Sequence, residues 1–182
     1  MIKKLFLTVA LFATFISVYA QEYTVDGNSI KISKVIENTN LSIEQENEVL
    51  LTYLGKAYND INTTLKTSTT HSIVVKGIYS KVISFTMGLW SADLGHQIVI
   101  SLKEGRVRVE VSVSDVRLYS DQASKDDVIT NLYPINPNKS LLNSYLSKSK
   151  SKELLDQAVM LMYATILDIE RTLKNHSEDD NW

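Results

Sequence analysis

The clearest hydrophobic pattern lies in the middle of the chain. Ile98, Ile100 and Leu102 alternate with polar residues, Lys103-Glu104-Gly105-Arg106 interrupts the run, and Val107, Val109, Val111 and Val113 resume it. A period of two across that span predicts a β-hairpin with one buried face, with Gly105 suited to the left-handed turn position. After Val113 the apolar parity moves to Val116 and Leu118. One extra residue near Ser114-Asp115 accounts for the change, so a β-bulge is expected there. Ser72 to Ser84 (SIVVKGIYSKVIS) predicts another strand by its β-branched content, but its alternation slips around Gly77. Such a slip marks a bulge or the close approach of another backbone. Ile30 to Ile36 predicts a shorter strand, with Ile30, Ile32 and Lys34 on one face, and Asn38-Thr39-Asn40 ends it.

Elsewhere the period lengthens to three and four. Ser42-Ile43-Glu44-Gln45 reads as a capping box, and Glu44, Glu46 and Glu48 suit the positive end of a helix dipole. Ile43, Leu50, Tyr53, Leu54, Ala57, Tyr58, Ile61 and Leu65 then form one apolar stripe, which predicts a single long helix despite Gly55. A second helix is predicted from Glu153 to Lys174, with Leu154, Leu155, Ala158, Val159, Met162, Ile166, Ile169 and Leu173 on one broad face. Met160, Tyr163 and Leu167 lie on its opposite side, and Thr165 is the lone polar residue between Ala158 and Leu167. The middle of this helix is therefore expected to be covered on more than one face.

Between these elements, Asp121 to Lys150 is polar and holds both prolines, Pro134 and Pro137, with a Ser-Lys repeat starting at Ser147. It predicts a long surface connection containing at most a short helix at Leu141 to Leu146. The order of strand, helix, three strands, loop and helix gives an α+β domain, an antiparallel sheet with helices packed on one face. The expected divisions are a core over 21–120, the polar loop over 121–150, the final helix over 151–175 and a frayed tail over 176–182.

The first twenty residues follow a different logic. Lys3 and Lys4 precede an uncharged apolar run from Leu5 to Ala20, and Val18-Tyr19-Ala20 is followed at once by Gln21-Glu22. This three-part pattern is that of a secretory signal peptide cleaved after Ala20. The run of 16 residues is shorter than the roughly 20 that span a bilayer. Cleavage would leave 162 residues and take the formal charge from -2 to -4. The expected product is periplasmic or secreted, without a transmembrane anchor.

Composition narrows the chemistry. The 182 residues include no cysteine, which removes thiolate zinc sites, thiol nucleophiles and disulfides, so the apolar core alone must hold an exported fold. The slight acidity lacks the basic field that nucleic acid binding needs. No nucleotide-binding glycine loop, nucleophile elbow or paired-histidine zinc motif occurs. His71 and His96, with Asp93 beside the latter, are the available metal or general-base candidates. Both histidines sit where a half-exposed side chain at a strand end needs no ligand, so no catalytic residue, metal or cofactor is assigned. Asp121, Asp126 and Asp127 lack calcium-loop spacing. Arg106, Arg108, Glu110 and Ser112 form a charged strand face opposite the valines, and Trp90 is expected in a loop before the hairpin, as a core plug or a contact.

An exported start, a strand and long helix, SIVVKGIYSKV and the IVISLKEGRVRVEVSVSDVRL hairpin together resemble a family of secreted proteins common in Gram-negative gut bacteria. That family is known as a domain of unknown function with a TBP-like fold. The resemblance spans about Ile30 to Tyr119 and rests mainly on the strand-turn-strand around Lys103 to Arg106. It implies a curved antiparallel sheet covered by helices, and it brings no catalytic residues and no DNA binding.

The residues support an exported, non-enzymatic interaction or structural module. Trp90, Met160, Tyr163, Leu167, Arg106 and Arg108 would form its ligand or partner surface, facing an unknown protein or a second copy. A carrier of a small apolar ligand, with a pocket between the sheet and the final helix, is the alternative. A hydrolase using His71 or His96 is the third reading.

Overall fold

The computed structural model describes residues 23–120 apart from 28, 59, 86, 88 and 89, the short strand 133–134, and residues 146–179. The predicted signal peptide, most of the 121–150 connection, the helix expected from Leu141 except its last residue, and residues 180–182 lie outside the described residues. Among the described residues no helix is long and apolar enough to cross a membrane.

The elements run β1 (Thr24–Asp26), β2 (Ser29–Glu37), α1 (Ile43–Ala57), α2 (Ile61–Thr64), β3 (Leu65–Thr69), β4 (Ser72–Phe85), β5 (Trp90–Lys103), β6 (Arg106–Ser120), β7 (Tyr133–Pro134) and α3 (Lys148–Asp179). The sheet has the order β1-β2-β6-β5-β4-β3, and its neighbouring strands pair antiparallel. β7 pairs with β6 at Asp115 and Val116, beyond the last partner of β2 at Val113. Helices α1 and α3 pack against the sheet and each other, so the domain is α+β as its periodicities imply.

The alternation across β5 and β6 decides which face is covered. Ile98, Ile100, Leu102, Val107, Val109, Val111 and Val113 are all buried, paired rank by rank across the hairpin, and Ile30, Ile32 and Ile36 extend those ranks into β2. Gly105 carries the turn with φ +71°. On the opposite face Arg106 and Arg108 are exposed, and Glu110 pairs with Lys31 at 3.2 Å. The predicted bulge is present: Gly95 pairs with Asp115 but His96 pairs with Val113, leaving Ser114 as the extra residue. That extra residue returns Val116 and Leu118 to the buried face.

Two expected features move. In β4 the register runs unbroken through Gly77, and the irregularity falls between Tyr79 and Ile83. There Lys81 adopts φ +52° and its N–H donates to the Asp93 carboxylate at 2.8 Å. Trp90, expected in a loop, is the first residue of β5 and half-buried, in register with Phe85 of β4 and Ser120 of β6.

The Ser42 capping box starts α1, with Ser42 Oγ accepting from Gln45 N and Gln45 Oε1 accepting from Ser42 N. The single helix expected through Leu65 instead stops at Ala57. Tyr58 is extended (φ -116°, ψ 129°), and Asp60 starts the one-turn α2 by accepting from the N–H groups of Asn62 and Thr63. Leu65 opens β3, an edge strand whose last four residues are exposed. Helix α3 is longer than predicted. It takes in Lys148, Ser149 and Lys150 from the expected loop and runs past Lys174 to Asp179. Ser147 closes its first turn, its Oγ accepting from Lys150 N.

Candidate functional site

Side chains from two strands and two helices connect at His96. Because His96 shares parity with Ile98, Ile100 and Leu102, the β5 pleat aims its imidazole into the core, where it is 4% exposed. Its cross-strand partner is Gly77, and a Cβ added there would lie 2.6 Å from Tyr58 Cε1 and 2.8 Å from His96 Cε1. The glycine is therefore a space for two rings, so the close approach comes from side chains and not from a second backbone. The break in helix α1 has the same cause: leaving the helix at Tyr58 brings its hydroxyl to 2.6 Å from His96 Nε2.

Tyr79, two residues beyond Gly77 on the same face, stacks on the imidazole with ring centroids 3.9 Å apart and 18° between planes. Its hydroxyl donates to Thr165 Oγ1 at 2.7 Å, because Thr165 itself donates to the Leu161 carbonyl at 2.9 Å. The one polar residue in the middle of α3 is thus the far end of a chain of side chains joining α1, β5, β4 and α3. Burial sets the charge state of this chain. The His96 pKa falls to about 4 because the imidazolium would be desolvated, and the Tyr79 pKa rises to about 12 for the same reason. Burial likewise pushes Tyr58 upward. Neutral imidazole and intact phenols at ordinary pH make this an internal clamp. His96 Nδ1 is buried without a partner, and an enclosed ring engaged by Tyr58 is poorly placed to take a proton from a substrate.

The other chemical candidates do not converge on His96. His71 is exposed in the turn between β3 and β4. Asp93 stands in register with Arg117 on the sheet face opposite His96. Among the described residues no three histidine or carboxylate groups gather as metal ligands. A second buried polar pair went unread in the sequence: Glu46, expected to serve the helix dipole, is fully buried and accepts from Thr39 Oγ1 at 2.5 Å. Thr39 sits between Asn38 and Asn40, both at positive φ, in a loop held to the β5–β6 turn by Asn38 N donating to Gly105 O. Burial raises the Glu46 pKa.

The predicted surface residues separate into different regions. Arg106 and Arg108 line a groove of about 310 Å³ with Val35, Ser101 and Lys103 on the open face of the sheet. Met160 and Leu167 are 49% and 48% exposed on α3, while Tyr163 is half-buried and leans on the core. Trp90 belongs to neither group. Where α3 meets the sheet, its core-facing Leu154, Ala158, Met162, Ile166, Ile169 and Leu173 are all 0% exposed. A second groove of about 390 Å³, lined by residues including Tyr53, Lys56, Thr172 and His176, opens on the outside between α1 and the end of α3.

No family model matches the chain, and no curated protein matches it in sequence. Solved structures do match it in shape. A TBP-like protein from Parabacteroides distasonis ATCC 8503 has a TM-score of 0.57 at 13% identity, covering 81% of this chain and 96% of its own. A DUF4468 family protein from Bacteroides ovatus ATCC 8483 has a TM-score of 0.60 at 14% identity, covering 83% of this chain and 90% of its own. The antiparallel sheet, the helix after β2 and the long final helix packed on the sheet therefore make up a TBP-like α+β fold.

Proposed function

We propose that the protein is an exported, non-enzymatic interaction module whose contact surface is the outer side of α3. The observation carrying this reading is a contrast between inside and outside. The buried polar groups Tyr58, Tyr79 and His96 are consumed in an internal clamp. Large apolar side chains, by contrast, stand exposed on α3, at Met160 and Leu167. Apolar residues seven apart on one helix face form a stripe that a partner helix or groove can cover. Export is supported by the basic-apolar-polar pattern of the first twenty residues.

The test is site-specific photo-crosslinking in the producing cell, with a benzophenone side chain at position 160 or 167 and, as exposed controls, at Asp60 or Glu104. Protein adducts from 160 and 167, with none from the controls, are expected. Absence of adducts from both α3 positions would overturn the reading.

A further inference from the structure

The outer ridge of α3 is complementary to itself. At three- and four-residue steps it reads Glu153, Asp156, Met160, Ala164, Leu167, Arg171, Lys174, and every one of these is exposed. They lie opposite the core-facing Ala158, Met162, Ile166, Ile169 and Leu173. The order is two acids, an apolar centre and two bases. Such an order has no use as a dipole device, because the first turn of α3 holds no acidic residue and dipole effects fade within one turn. It does have a use in pairing.

We propose that this ridge binds a second copy of the chain, antiparallel, about a two-fold axis passing between Tyr163 and Ala164. This rests on the reading of α3 as the contact surface and names its partner. In that register Met160 faces Leu167 of the second copy, Asp156 faces Arg171, and Glu153 faces Lys174. The symmetry repeats each contact, as an isologous interface requires. A parallel arrangement would instead set Asp156 against Asp156 and Arg171 against Arg171, with like charges opposed. Within one chain these groups already pair along the helix: Glu153 with Lys150, Asp156 with Lys152, Arg171 with Asp168 and Lys174 with Glu170. Exposed pairs of this kind contribute little, so exchanging or sharing them across an interface costs little.

Charge reversal tests the register. Two variants, E153K/D156K and R171E/K174E, each make the ridge of one sign. Sedimentation equilibrium should show that either variant alone dimerises at least about tenfold more weakly than the parent, and that an equimolar mixture recovers the dimer. Recovery in the mixture also establishes that both variants are folded. The absence of native cysteine permits a second readout. Chains carrying Met160→Cys and Leu167→Cys should oxidise to a mixed dimer when combined, in preference to either self-pair. A parent monomeric at hundreds of micromolar, or preferential 160–160 and 167–167 disulfides, would overturn the proposal. If photo-crosslinks from position 160 then led to a different polypeptide, the second copy would be refuted and the contact surface retained. If there were none, both would fail.

Discussion

Removing the clamp around His96 changes how stability depends on pH. The unfolded chain binds a proton at His96 near pH 6.5, whereas in the fold burial delays protonation to about pH 4. The unfolded state therefore holds more protons throughout this window, so stability is full above about pH 6.5 and is lost as pH falls toward 4. Each tenfold in proton affinity is worth about 1.4 kcal/mol, which puts the loss at about 3 kcal/mol, or on the order of 10 °C in Tm. The perturbation is the double substitution Y58F/H96F. It deletes both hydrogen-bonding partners together and strands neither, and it keeps a ring at position 96 to stack on Tyr79. The assay is urea unfolding at intervals from pH 7.5 to 4. Other carboxylates titrate in both proteins and cancel in the difference. Glu170, held below the usual carboxylate range by Lys174 and Lys34, loses its contribution only below about pH 4.5. The parent should lose about 3 kcal/mol more than the double variant between pH 7.5 and 4. Parallel profiles would refute the claim that His96 is sealed neutral within the fold.

Two further substitutions probe neighbouring features. Gly77→Ala would set a methyl group 2.6 Å from the Tyr58 ring, an overpacking expected to cost about 1–3 kcal/mol in thermal or urea melts; an unchanged midpoint would mean that the rings do not need that space. Glu46→Gln keeps the acceptor for Thr39 and removes a carboxylate whose folded pKa is raised by burial. The parent's stability from this group is present below about pH 4.5 and lost as pH rises through the folded pKa. The stability of the variant relative to the parent should therefore be greatest at pH 8 and decline as the pH is lowered, as read by paired melts.

The parts of the fold legible in the sequence are those governed by local periodicity. The valine ranks of β6, the Gly105 turn and the bulge at Ser114 follow from counting parity, and the capping box follows from Ser42 and Gln45. The parts that were not legible depend on distant partners. Helix periodicity continues through Tyr58, Ile61 and Leu65, but Tyr58 is extended and its hydroxyl meets His96 on β5. β3 is an exposed edge strand without an apolar face to alternate, and β1 and β7, at three and two residues, are too short to show a period. Glu46 sits where a first-turn acid normally meets solvent, and its burial against Thr39 depends on a loop that local periodicity does not describe. Signals for the clamp were present nonetheless. His96 keeps parity with three buried residues, Gly77 lies opposite it as the slot, and Thr165 is the one polar break in the middle of α3.

The methionines give the most direct test of the central claim, that the outer side of α3 is a contact surface while the chemistry is sealed within. Met87 is 99% exposed in the β4–β5 turn, Met160 is half exposed on α3, and Met162 is fully buried two residues away. Brief peroxide oxidation followed by mass spectrometry reports all three side chains at once. In dilute purified protein, Met87 and Met160 should oxidise and Met162 should not. In the producing cell, the ratio of Met160 to Met87 oxidation should fall several-fold while Met162 stays protected. An unchanged ratio would contradict the account, because it would mean that nothing covers α3 where the protein works.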